Sequence, residues 1–272
     1  MITCTFNGRL GNNLFQAATT INLSKKLGCE FALPFTTWAG HRGDRPVDLS
    51  MFKYDFIRKQ NEELNLSKSY NDPEFHYTPI EVEDGTRLSG FYQSWKYFED
   101  IRQELLSRYF APSDRILESL SKYDITPNSL GISVRRGDYL MLQQNHCVLS
   151  TDYYQELIYN YFQDGVDSIY IFSDDTEWCR TVFGPNVRYV QDDIGTQLFL
   201  MSRMKDLILS NSTFAWWGAY LNTQGGIIIA PNPWFGPAYS DKDTRDLYYP
   251  GWIKYRHTPV VHTFELTPNM ID

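Results

Sequence analysis

The stretch Leu130-Gly131-Ile132-Ser133-Val134-Arg135-Arg136-Gly137-Asp138-Tyr139 sets a short, mostly apolar run against two arginines, a glycine and an aspartate. A short apolar run stopped by a turn glycine reads as a buried strand. The charges then lie just past its C-terminal end, which in open α/β sheets is where ligands bind. Neighbouring side chains on extended backbone point to opposite sides. Only one of Arg135 and Arg136 therefore needs to face a cleft, and the other ties down the loop. A guanidinium can clamp phosphate oxygens through two parallel N–H bonds. The plainer alternative is a surface ion pair between Asp138 and an arginine, worth ~0–1 kcal/mol.

The pattern repeats downstream. Residues 168–172, 187–191, 207–210 and 226–230 read as strands, the last stopped by Pro231. Residues 151–162, 175–183, 193–204 and 213–221 read as helices. Strands alternating with helices predict parallel β/α units. Upstream, a strand at residues 2–6 is followed by the turn NGRLGNN and a helix that sets Leu14, Phe15, Ala18, Ile21 and Leu27 mostly on one face. A strand over 29–35, an irregular segment over 36–80, short strands around 80–92 and a helix over 95–109 follow. Ser113 and Asp114 start a further helix that ends near Lys122. The stretch YDITPNS, residues 123–129, has the polar residues and proline of a linker. The expected architecture is α/β, with two Rossmann-like lobes, residues 1–125 and 126–272, around a cleft.

Composition narrows the function. The formal net charge is -8, which argues against a nucleic-acid surface but not against one local anion site. Cys4, Cys29, Cys147 and Cys179 form no C-x-x-C pair or zinc spacing. No apolar run reaches the ~18 residues of a membrane span, and the start does not read as a secretory leader. The expectation is a reduced, cytoplasmic chain without a transmembrane segment, peripheral membrane association left open.

Three further stretches could carry chemistry. Gly8 to Asn12, GRLGN, lies between a strand and a helix, where a tight turn lets a ligand approach the helix N-terminus. Its spacing is G-x-x-G rather than the G-x-G-x-x-G of dinucleotide sites. The stretch SNSTFAWWGAYL, Ser210 to Leu221, again follows a strand, with Ser212 or Thr213 as helix cap and phosphate seat. Capping alone is the alternative there. FSDD, Phe172 to Asp175, closes a third strand, and its acids suit ribose hydroxyls, a cation or simply a cap; Asp192 and Asp193 pose the same choice.

Taken together, GRLGNNLFQAA, GFYQSWKYFED, VRRGDY, IFSDD and LFLMSRMKDLILSNSTFAWWGAYL, in this order over about residues 7–221, resemble the bacterial alpha-1,2-fucosyltransferases. The resemblance implies a GT-B type fold, GDP-fucose as donor, a galactose-containing glycan as acceptor, inversion at the anomeric carbon and no metal in the chemistry. It implies that Arg135 contacts the donor diphosphate, with Arg136 supporting it or the loop. Ser212, Thr213 and Phe214 would sit near the diphosphate and nucleotide, and Asp174 and Asp192 near ribose or guanine. Asn7, Arg9, Gly11, Asn12 and Gln16 would line the cleft from the first lobe. The chain departs from the family pattern at Ser133, where members usually carry histidine, at Trp95, where they carry an acid, and at Asp206. These departures bear on donor sugar and acceptor more than on reaction class. Asp138 could accept the acceptor's proton or orient an arginine. The alternatives are a same-fold transferase with another donor or acceptor, and a non-catalytic carbohydrate- or nucleotide-binding module.

Overall fold

The computed structural model describes residues 1–37, 45–72, 74–163 and 165–259. The last part of the expected second lobe, 260–272, and part of the expected irregular segment, 38–44, lie outside the described residues.

The chain begins with β1 (Thr3–Cys4), two buried residues, and passes through the glycine-rich turn into α1 (Leu10–Leu27). Gly28 ends α1 at φ 63°, a left-handed conformation that glycine adopts without a Cβ clash. The strands β2 (Leu33–Pro34), β3 (Arg58–Lys59), β4 (Lys68–Asn71) and β5 (Thr86–Ser89) follow. They pair in parallel as β4-β5-β1 and β2-β3. Ile2 bridges to Phe31, and Ala32 N–H donates to Ile2 O at 3.1 Å, which knits the two groups into one layer. The helix expected over 95–109 is instead a relay. Two 3₁₀ turns (Trp95–Tyr97 and Glu99–Ile101) lead into the short α2 (Arg102–Glu104) and a π-helical turn (Leu105–Tyr109). Then comes α3 (Asp114–Leu120), where Ser113 sits at the N-cap without a side-chain cap bond.

The second half is a longer series: β6 (Ser129–Val134), α4 (Thr151–Tyr161), β7 (Ser168–Ser173), α5 (Thr176–Phe183), β8 (Arg188–Tyr189), α6 (Ile194–Met201), β9 (Asp206–Ile208), α7 (Thr213–Tyr220), β10 (Ile228–Asn232) and β11 (Ile253–Arg256). Every one of its strand pairs is parallel, in the order β11-β10-β9-β6-β7-β8. Counted from β6, this is the 3-2-1-4-5-6 order of a doubly wound sheet, and the winding reverses between β6 and β9. Pro231 does not stop β10, because pairing with β9 has already ended at Ile229. β6 is buried at every residue, as a central parallel strand must be. The fold is of GT-B type, two parallel sheet-and-helix lobes.

One hydrophobic cluster runs through both lobes, and a second lies wholly in the second half. Phe15 of α1 meets Trp216 and Trp217 of α7 at 4.4 and 5.1 Å between ring centroids, and Phe98 stacks on Trp217 at 5.3 Å. Trp217 Nε1 donates to Gly11 O at 2.9 Å. A Cβ on Gly11 would lie 2.5 Å from Phe214 N, so only glycine allows α1 and α7 to meet there. The segment after β10 also returns to the first lobe. Asp246 takes Lys96 Nζ at 2.6 Å and Tyr77 N–H at 3.1 Å, and Tyr249 OH donates to Glu99 at 2.8 Å.

Candidate active site

A cleft of about 870 Å³ opens between the lobes, past the C-terminal ends of β6 and β7 and at the start of α7. It therefore sits at the reversal point of the second sheet, where β6 and β9 send their loops in opposite directions. Ser133, on the cleft wall at the end of β6, joins hydroxyls at 2.8 Å with the buried Ser210 just past β9.

Arg135 reaches the cleft and Arg136 does not. The Arg135 guanidinium pairs with Asp138 and, at 2.6 Å, with Asp174 Oδ2. It lies over the Tyr139 ring, 5.1 Å from the centroid. Arg136 turns the other way: its Nε meets Asp175 Oδ2 at 3.0 Å and its guanidinium covers the Trp178 ring at 4.0 Å. This is the alternation of an extended backbone applied to two adjacent cations. Asp174 lines the cleft and also clasps the turn, since its Oδ1 accepts the Arg136 backbone N–H at 2.9 Å. Its other oxygen occupies the space a side chain on Gly137 would need. Asp175 caps α5 by accepting Trp178 N–H at 3.1 Å. Both acids of FSDD are thus spent on the RRG turn and the following helix.

Ser212 caps α7, its Oγ accepting Phe214 N–H at 3.3 Å. Ser212, Thr213 and Phe214 all lie on the wall, so the positive end of the α7 dipole faces the same space as Arg135. Asp192 does not line the cleft; it accepts from Tyr123 OH at 3.2 Å. Gln197, which donates to the Asp192 carbonyl at 2.7 Å, stands on the wall in its place.

From the first lobe, Arg9, Gly11 and Asn12 are on the wall. Arg9 crosses the cleft to Asp138 Oδ2 at 3.1 Å. Asn12 accepts from Gln93 Nε2 at 3.0 Å. Asn7 and Gln16 were expected there but stand behind the wall. The buried Gln16 accepts Asn7 N–H at 3.0 Å and donates to Gly90 O at 2.9 Å, so the pair shapes the turn that carries Arg9. Of the three departures from the family pattern, Ser133 lines the cleft. Trp95 packs on Tyr249 instead, and Asp206 accepts Ile227 N–H at 2.6 Å.

The wall also holds residues that no motif announced. His146 stacks on Tyr139, centroids 4.6 Å apart and planes 12° apart, with Phe235 beyond it at 6.0 Å. Burial lowers the His146 pKa below the ordinary 6.5. Burial likewise raises the Tyr139 phenol, whose hydroxyl donates to Asn211 O at 3.1 Å. Met141, Leu142 and Trp234 add apolar surface to the same wall that carries Arg135 and the α7 N-terminus. The lining thus offers both a guanidinium with helix amides, which suit an anionic leaving group, and apolar surface, which suits the ring of a sugar.

A model of the family described as Glycosyl transferase family 11 matches residues 1–256. The chain is 28% identical to an Alpha-1,2-colitosyltransferase of Escherichia coli, covering 86% of this chain and 92% of that protein. It is 28% identical to the Galactoside alpha-(1,2)-fucosyltransferase 2 of Gorilla gorilla gorilla, covering 85% and 71%. Among solved structures, the fucosyltransferase NodZ from Bradyrhizobium superposes with a TM-score of 0.55 at 12% identity, covering 81% of this chain and 93% of that one.

Proposed function

The chain belongs to glycosyl transferase family 11, and from that premise we propose that it moves fucose from GDP-fucose to the 2-hydroxyl of a galactoside, inverting the anomeric centre. The observation that carries the reading is the placement of Arg135 beside the N-terminus of α7, across the reversal point from the first lobe. A diphosphate seated there meets a planar cation and free backbone amides. Both interactions strengthen as charge builds on the departing oxygen.

In a single displacement the acceptor oxygen bonds to C1 of fucose while the C1–O bond to the β-phosphate breaks. The electron pair leaves with GDP. The analogy with inverting hydrolases is partial, because diphosphate leaves readily and Arg135 with the helix dipole takes the place of an acid. Asp138 orients Arg135 and Arg9, since each of its oxygens already meets one of those cations. Diphosphate charge is met by Arg135 and the α7 amides, so turnover is expected to survive EDTA.

Calorimetric titration with GDP, UDP and ADP, followed by transfer from GDP-fucose to lactose, tests the proposal. GDP should bind most tightly, and tighter UDP binding would refute the donor. A second reading keeps the scaffold and changes the deoxy sugar, and it is favoured by the similarity to a colitosyltransferase. Competing GDP-fucose against GDP-colitose separates the two. A binding module without turnover would hold GDP yet release none from either donor.

A further inference from the structure

The acceptor hydroxyl must lose a proton as it attacks, and the cleft offers few places to put it. Among the described residues on its wall, the side chains to weigh as the proton acceptor are two carboxylates, Asp138 and Asp174, and one imidazole, His146. Asp138 is held by Arg135 through one oxygen and by Arg9 through the other. Asp174 is held by Arg135 and by the Arg136 backbone N–H. His146 differs. Its ring is fixed by stacking on Tyr139, yet neither ring nitrogen has a hydrogen-bond partner among the described residues.

We infer that His146 is the general base of the transfer. The inference rests on the function proposed above and adds the residue that takes the proton. A ring nitrogen accepts the hydroxyl proton as the oxygen bonds to C1 and the C1–O bond to the β-phosphate breaks. The electron pair leaves with GDP, and the imidazolium then passes its proton to solvent. The surroundings keep the ring neutral and ready. Phe235 and Tyr239 lie against it at 6.0 and 6.1 Å. Burial lowers its pKa, Arg135 adds to that effect, and Asp138 opposes it. The first lobe faces Asp138 with Arg9, which offsets the one nearby charge that would favour imidazolium. The geometry also couples the two halves of the reaction. Tyr139 is packed between the Arg135 guanidinium, at 5.1 Å, and the His146 ring, at 4.6 Å, so one phenol positions both the clamp and the base.

The test uses the full chain with GDP-fucose and lactose, and measures wild type first across about pH 5 to 9. The wild-type kcat should fall on the acid side with a single ionisation below 6.5, the ordinary histidine value. His146→Phe keeps a ring on Tyr139 and removes the nitrogen, and His146→Gln guards against misfolding of the first variant. Both should bind GDP as wild type does and lose roughly 10²–10⁴-fold in kcat. The residual rate should no longer carry the acid-side ionisation. A purely structural role for His146 would lower GDP affinity or stability and leave that ionisation in place. The assignment is overturned by either variant that binds GDP and transfers within about threefold of wild type, or by a wild-type kcat flat from about pH 5 to 7. Absence of wild-type turnover with GDP-fucose would sink the proposed donor instead, and the same profile with GDP-colitose would then judge the base.

Discussion

Arg135 stands between two carboxylates, with its plane over Tyr139, so its orientation is set before any ligand arrives. Preorganisation of this kind is what makes a donor effective at the transition state. Arg135→Ala should lower kcat/KM by roughly 10²–10³-fold. Arg135→Lys should recover little, because lysine has no planar fork to meet two oxygens. Steady-state kinetics on both variants, with GDP affinity measured alongside, checks the assignment; a lysine variant near wild type would overturn the bidentate clamp. Asp138→Asn keeps the shape and drops the charge. As an orienter, Asp138 should lose GDP affinity and turnover together in this variant, whereas unchanged affinity with slow transfer would restore it as a base. The sequence makes Arg135 readable because a charged pair at the end of an apolar run has little else to do. It does not make His146 readable. QQNHC carries no periodicity and no motif, and the ring reaches the wall through the fold of the 3₁₀ segment Gly137–Met141 and the loop after it.

At the scale of elements, helices that begin at a side-chain cap were legible and short polar strands were not. Ser150, Asp175, Asp193 and Ser212 each accept a backbone N–H at the start of α4, α5, α6 and α7, and the sequence marks all of these starts to within a residue or two. β4, Lys-Ser-Tyr-Asn, is a mostly exposed edge strand, so it lacks the apolar alternation that a half-buried strand shows. β3 is only two residues long, and β11 follows a long stretch without periodicity. The segment over 95–109 carries helical composition, but Phe98, at φ -145°, breaks it between the two 3₁₀ turns. Capping also yields a prediction at this scale. Ser212→Ala removes the oxygen that satisfies Phe214 N–H, and a lost cap costs about 1 kcal/mol of stability. GDP should also bind more weakly, because α7 would fray where it meets the diphosphate. Thermal melts with and without GDP measure both effects; a variant that loses stability but binds GDP as before would show that the α7 N-terminus is a cap and not a phosphate seat.

Across the whole molecule, a two-lobed α/β architecture was legible from the alternation of strands and helices, whereas the way the lobes are joined was not. Nothing in the sequence marks Trp216 and Trp217 as a junction, yet they are fully buried against Phe15 and Phe98 of the first lobe. The Asp246 and Tyr249 contacts fasten the second half to the first a second time. A cleft wall built from two lobes that share a hydrophobic cluster has little freedom to open by a rigid hinge at α1 and α7. The lobes should therefore melt together. Differential scanning calorimetry should give one transition, with calorimetric and van't Hoff enthalpies equal. Saturating GDP should move that transition as a unit, by RT ln(1 + [L]/Kd), about 2.7 kcal/mol at a hundredfold excess over Kd. At roughly 2–4 °C per kcal/mol for a chain of this size, that is an increase of roughly 5–11 °C. Trp217→Ala tests the cause. It removes the indole from the lobe junction and frees the Gly11 carbonyl, at about 3–5 kcal/mol for a buried large-to-small change. If the shared core couples the lobes, this variant should lower Tm and split or broaden the transition, with GDP then protecting only the part that holds Arg135 and α7. Two separate transitions in the wild-type chain would show that the lobes fold independently and that the junction is a contact rather than a core.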